Sequence, residues 1–222
     1  MAQNTLITHR ENAMSSLIFY TDETQAVVAT DTLAVNNNGQ PIAFVSKSGY
    51  IPHLKTIVTG TGAGGFANKW LLEASTRMVV RGIQNLNYHT PKALNRLWLE
   101  YKKEFSPPDE FTTTVYQFGI CEETGKVVSY AYRSTNNFKS ESLVYGTAVK
   151  PDCTILEGNL IEIIPVMMNE QRHLESQKPD HERIHIGGEI ILYHLTNNGC
   201  NCFKIGEFDD YRSQQDYLLL NL

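Results

Sequence analysis

From residue 16 to 21 and again from 26 to 31 the chain alternates or runs apolar, rich in β-branched and aromatic residues, with the polar stretch Asp22-Glu23-Thr24-Gln25 between the two runs. That pattern predicts a β-hairpin. Asn36-Asn37-Asn38-Gly39-Gln40-Pro41 is a turn cluster, and residues 42–47 and 54–60 are the next two predicted strands. Beyond the glycine-rich Gly60 to Gly65, the residues Phe66, Trp70, Leu71, Ala74 and Met78 recur at helical spacing. A second helix is expected over 91–104, started by Thr90-Pro91 and carrying Ala93, Leu94, Leu97, Trp98 and Tyr101 on its apolar face. Pro107-Pro108 ends this helical region.

Residues 112–121 and 126–132 predict two strands joined by Glu122-Glu123-Thr124-Gly125, and 141–146 another. Leu156 to about Glu175 predicts a third helix, and 188–195 with 201–205 a closing hairpin around Asn197-Asn198-Gly199. Strands, two helices, strands, a helix and strands imply an α+β chain in which two sheets face each other with helices outside, since each sheet must cover both faces. The length of 222 residues suits one domain.

Ser15 is followed at sixteen positions by Asp31 and at thirty-two by Lys47, each at the start or end of a predicted strand. A hydroxyl nucleophile, a lysine that eases its deprotonation and a carboxylate that holds the lysine make a set suited to attack on an amide. The segments Ser15 to Tyr20, Ala26 to Thr32 and Phe44 to Lys47 resemble the opening of a proteasome β-subunit or of the related bacterial two-ring peptidase, members of the N-terminal nucleophile (Ntn) hydrolase superfamily. His53 to Gly62 is similar to that family's fourth strand, and Tyr145-Gly146-Thr147-Ala148 to its Gly-Ser-Gly turn.

The resemblance implies a four-layer αββα sandwich of two mainly antiparallel sheets, spanning 15–222, with 1–14 as an extension or propeptide-like segment. It also implies Ser15 as nucleophile, Asp31 and Lys47 as its support, Gly60 N–H as oxyanion donor and Thr147 as an assisting hydroxyl. In the family the chain's own α-amine accepts the hydroxyl proton, its ordinary pKa of about 7.7–8.0 lying close to working pH. If Met14 is the true start, its removal frees that amine at Ser15, whereas a retained 1–14 segment leaves an amide there. The implied activity is cleavage of peptide or other amide bonds by a homo-oligomer such as a ring of identical subunits, with no cofactor or metal. The alternative is a non-catalytic αββα scaffold, favoured by Glu11-Asn12-Ala13-Met14 ahead of Ser15 and by the lack of a matching Asp and Ser ahead of Gly187-Gly188, where Asp180 and Glu182 are the nearest acidic candidates and neither is in register.

Two further motifs point elsewhere. His181-Glu182-Arg183-Ile184-His185 fits H-E-x-x-H, in which two histidines one helical turn apart hold zinc. Pro179 before it and Gly187-Gly188 after it favour a polar loop leading into a strand. Gly60-Thr61-Gly62-Ala63-Gly64-Gly65 fits G-x-G-x-x-G, but another helix follows instead of a parallel strand, so close packing at a strand-to-helix turn is the better reading. Trp70, Trp98 and Tyr101 are expected in the core or a subunit interface.

The net charge of −5, without a basic stripe, disfavours nucleic acid as a partner. No apolar run approaches the roughly 18 residues of a membrane span, and Met1 to Arg10 lacks a secretion-signal pattern, so a cytoplasmic chain is expected. Cys121, Cys153, Cys200 and Cys202 are expected as reduced, structural thiols.

Overall fold

The computed structural model describes residues 16–36, 38–180 and 182–220. Ser15 and the 1–14 segment therefore lie outside the described residues. The first sheet is built from β1 (Leu17–Thr21), β2 (Gln25–Asp31), β10 (Gly146–Lys150), β11 (Glu189–Thr196) and β12 (Gly199–Glu207), in the order β10-β1-β2-β11-β12. The second runs β5-β6-β7-β8-β9, from β5 (Ser48–Ile51), β6 (Thr56–Gly62), β7 (Thr113–Ile120), β8 (Val127–Arg133) and β9 (Ser140–Ser142). A small hairpin of β3 (Leu33–Val35) and β4 (Pro41–Phe44) forms the third, and every strand pair is antiparallel. Four α-helices complete the described residues: α1 (Phe66–Arg77), α2 (Ile83–Phe105), α3 (Leu160–Ser176) and α4 (Tyr211–Leu220). The protein is thus a mixed α+β fold. No helix among the described residues is long and apolar enough to cross a membrane.

Strand alternation sorts the apolar side chains into three clusters. Leu17, Phe19, Ala26 and Val28 of the first sheet join Ile57, Phe118 and Ala131 of the second in one. Their neighbours Ile18, Val27 and Ala29 point the other way, onto Ile164, Met167 and Met168 of α3. Val58, Val115 and Tyr132 of the second sheet pack against Phe66, Trp70, Leu94 and Trp98 of α1 and α2. Trp70 and Trp98 therefore belong to this chain's own core, not to its surface.

Several predicted boundaries move, each for a tertiary reason. The predicted strand 42–47 ends at Phe44, with Lys47 in the connection that follows, and a further strand, β5, forms where Gly49 leaves room for Leu71; a Cβ there would stand 2.4 Å from Leu71 Cδ2. The predicted strand 141–146 is two strands in different sheets, because the chain crosses from β9 to β10 over 143–145. α4 escapes a periodicity reading because Tyr211 is its one buried residue among those described. α2 begins at Ile83 rather than at Pro91, which lies inside it.

The early start of α2 has its cause in the β7–β8 turn. Glu122 accepts the Gln84 N–H on Oε2 and the Asn85 N–H on Oε1, both at 3.0 Å. It does the work of an N-cap side chain from 38 residues away in sequence, at the end of the helix where negative charge is favoured. Gly82 makes this possible, since a Cβ on it would stand 2.6 Å from Glu122 Oε2. Burial alone would raise the Glu122 carboxyl, but the N–H groups of Gln84 and Asn85 outweigh it and hold the carboxyl below its usual range. A lowered native pKa contributes stability that is present above the unfolded value of about 4.3 and is lost as pH falls through the native value. Glu122→Ala is expected to cost about 1 kcal/mol near pH 7, the usual worth of a cap, and much less below pH 4. Denaturant unfolding of both proteins across that pH range measures the difference.

Candidate functional site

Asp31 ends β2 and is fully buried. Its Oδ1 accepts from Lys47 Nζ at 2.8 Å and from the Ser16 N–H at 3.0 Å, and its Oδ2 accepts from the Gly187 N–H at 3.1 Å. Burial pushes the Asp31 carboxyl up, while the Lys47 ammonium and the two N–H groups pull against it. Both members of the ion pair are desolvated, with the Lys47 side chain 8% exposed. Removing one partner of such a pair would strand the other in a medium that cannot solvate it.

Lys47 is held through its backbone as well as its ammonium. The Thr59 hydroxyl donates to the Lys47 carbonyl at 3.0 Å and itself accepts from Ser48 Oγ at 2.8 Å. Asn68 of α1 donates to the Ser46 carbonyl, and the Val45 N–H donates to the Thr32 carbonyl. The connection between β4 and β5 is therefore tied to β6, α1 and the end of β2.

A cavity of about 160 Å³ adjoins this pair, lined by Lys47, Gly60 and Thr61 together with Ala34, Val45, Ala63 and Ala67. It is small and mostly apolar. Gly60 fits against α1 only because it lacks a side chain: a Cβ would stand 2.7 Å from Ala67 Cβ and 2.9 Å from the Thr114 carbonyl oxygen. Gly62, at φ +93°, is equally constrained, with the Thr112 carbonyl oxygen 2.1 Å from where a Cβ would sit. Packing at a strand-to-helix turn thus accounts for Gly60 and Gly62, while Gly65 takes φ +70° in open space at the start of α1.

Of the five residues singled out in the sequence, Asp31, Lys47 and Gly60 come together. Ser15 lies outside the described residues, although its covalent neighbour Ser16 is anchored on Asp31. Thr147 does not join them. It is strand residue, not turn, and pairs with Tyr20, four residues along β1 from Ser16 or about 13 Å at the rise of a strand. There it lines a separate cavity with Tyr20 and Gln25. The turn reading fails because Gly146 to Lys150 find a full partner strand in β1.

Sequence reasoning missed Ser16 and Gly187 as donors to Asp31, because each acts through its backbone N–H. The one available signal was the Gly187-Gly188 pair. Gly188 takes φ +79°, and a Cβ on it would stand 2.4 Å from Thr32 Oγ1, so only glycine lets this loop approach β2. The Gly187 carbonyl then accepts from the Thr32 and Leu33 N–H groups.

No known protein-family model matches this chain, and no curated protein is similar to it in sequence. The competing motifs find no support in the geometry. His181 lies outside the described residues, Glu182 is in a turn and 183–187 form no helix, so the helix face that H-E-x-x-H requires is missing. Among the described residues no group of three or more His, Cys, Asp and Glu could hold a metal ion. A larger cleft of about 740 Å³ lies away from Lys47, where Arg172 pairs with Asp210 and Arg183 with Asp180, so its charges are already neutralised. The four cysteines are free, and burial raises the Cys153 and Cys200 thiols to about 11, which makes them poor nucleophiles.

Because the Asp31–Lys47 pair is buried, Asp31→Ala is expected to destabilise the protein by about 3–5 kcal/mol. Adding Lys47→Met should recover part of that loss, since no orphan ammonium then remains. A double-mutant cycle by denaturant unfolding checks both, and additive losses would refute direct pairing.

Proposed function

We propose that this chain is a cytoplasmic, proteasome-like Ntn hydrolase that cleaves peptide or other amide bonds with Ser15 as nucleophile. In this reading the two five-stranded sheets and their helices are the inner and outer layers of an αββα sandwich, a view supported by the three apolar clusters. The observation that carries the activity is the buried Asp31 carboxylate holding Lys47 Nζ and the Ser16 N–H on one oxygen. It brings a fixed positive charge and the residue next to Ser15 to the same atom.

The chemistry follows from those placements. The Ser15 α-amine, once free, takes the hydroxyl proton as Oγ attacks the substrate carbonyl. Lys47 stabilises the negative charge that develops on Oγ, and Asp31 keeps Lys47 oriented. The Gly60 N–H would stabilise the tetrahedral oxyanion, a contribution of about 2.7–4 kcal/mol where such donors have been removed elsewhere. The amine then returns the proton to the leaving nitrogen, and water, activated by the same amine, releases the acyl group. The small cavity beside Lys47 and Gly60 suits a compact apolar substrate group.

The test is a full chain carrying a specific protease site in place of 11–14, folded intact and then cut to expose Ser15. The cut protein is expected to be acylated by a serine-reactive probe and to hydrolyse small amide reporters. Ser15→Ala should abolish the signal, and Lys47→Ala should lower it by orders of magnitude. A folded, cut protein inert to a broad panel of amides and probes would leave the non-catalytic scaffold as the reading.

Assembly into a homo-oligomer, in a ring as the resemblance implies, belongs to the same proposal. Leu72 of α1 and Tyr88 and Leu99 of α2 are 61%, 80% and 70% exposed, an apolar content that subunit contacts would cover. Light scattering at micromolar concentration should give a mass several times that of one chain; a stable monomer would remove the ring.

A further inference from the structure

Gln171 is fully buried on α3, on the side of the first sheet that faces away from the second. Its side chain bridges the head of β1 and the end of the neighbouring strand β10. Oε1 accepts from the Ser16 hydroxyl, and Nε2 donates to the Pro151 carbonyl just past the end of β10. Ser16 is fully buried as well, and its N–H is the group that donates to Asp31. This one residue is therefore gripped twice, by its backbone on the site carboxylate and by its side chain on Gln171.

The grip also separates the two adjacent serines. A buried hydroxyl committed to an amide oxygen is not available to attack a substrate, so Ser16 serves as an anchor. β1 begins at Leu17, and Ser16 links it by a peptide bond to Ser15. Losing the Gln171 contact would leave Ser16 held only by its N–H on Asp31, just ahead of Leu17, whose pairing with Lys150 and Thr30 fixes the rest of the strand.

We propose that Gln171 is a positioning residue: with the Ser16 hydroxyl it forms a clamp that fixes the head of β1 and so sets where the Ser15 hydroxyl stands relative to Lys47. The proposal rests on the hydrolase reading for its effect on rate, but the clamp itself is measurable without it. A displacement of about 1 Å at a reacting atom can cost on the order of 100-fold in rate. Substrate affinity, set by the cavity beside Lys47 and Gly60, should be untouched.

The experiment uses the full chain with the protease site ahead of Ser15, folded and then cut, and a serine-reactive probe whose acylation rate constant and affinity are measured separately. Gln171→Met, of similar length but without the amide, is expected to lower the rate constant by about 10–100-fold with affinity unchanged. Ser16→Ala should do the same, and the double variant should lose no more than either single one, since both remove one contact. Gln171→Glu, which in its neutral form can both accept from Ser16 and donate to Pro151, should restore most of the rate.

Amide hydrogen exchange in the uncut full chain gives the second readout: Gln171→Met should speed exchange of the Ser16 N–H at least 10-fold while core amides of β7 stay protected. An unchanged rate constant in Gln171→Met, or a loss shared equally by rate and affinity, overturns the positioning role. If the cut wild-type protein is inert, the hydrolase reading fails and the exchange measurement decides the clamp alone. Unchanged Ser16 exchange then overturns it.

Discussion

A carboxylate with no access to water must find its solvation within the protein, and Asp31 finds it in three donors brought from three distant segments. Lys47 comes from the connection between β4 and β5, Ser16 from the head of β1 and Gly187 from the loop before β11. An ionised group stripped of water is costly unless its oxygens are satisfied. The three segments therefore have to be in place together, which couples the start of the chain, its first third and its last fifth through one side chain.

The glycines of the molecule make sense in that light. Gly188 lets the loop reach β2, and Gly60 and Gly62 let α1 and the 112–114 segment close against β6 beside the lysine. Hydroxyl groups fill the seam between the sheets at this end, where Ser48 bonds Thr59 and comes within 3.5 Å of Thr30 of the opposite sheet. Further along, the same seam is filled by Phe19, Phe118 and other apolar side chains. The gap is apolar in its interior and polar at the end where Asp31 and Lys47 lie, so the fixed charge sits beside a small cavity at the edge of the core.

Capping from a distance follows the same logic on the other side of the second sheet. Glu122 supplies the helix-start groups that the sequence around Gly82 does not contain, and α2 gains two turns over the 91–104 expected from Thr90-Pro91. At α3 the cap is local, with Asn159 accepting from the Ile161 N–H, and the helix starts at Leu160, four residues after the expected Leu156, while its end at Ser176 lies one residue from the expected Glu175.

Periodicity and turn signals settled that β1, β2, β7, β8, the closing hairpin, a helix from Phe66 to about Met78 and one ending near Glu175 would form, because each buries one face and that face is written at fixed spacing. Spacing from Ser15 also singled out Asp31 and Lys47, with Gly60 added by the family resemblance. It could not find the Gly187 and Ser16 donors, because a backbone N–H is the same in every residue but proline and only tertiary position distinguishes one from another. Nor could it place Thr147, whose hydroxyl looks alike in a turn or a strand until β1 pairs with β10. The chain by itself determined which elements exist and which side chains carry unusual chemistry; the tertiary structure decided which of them meet, because burial of a charge is satisfied by groups close in space, without regard to their distance along the sequence.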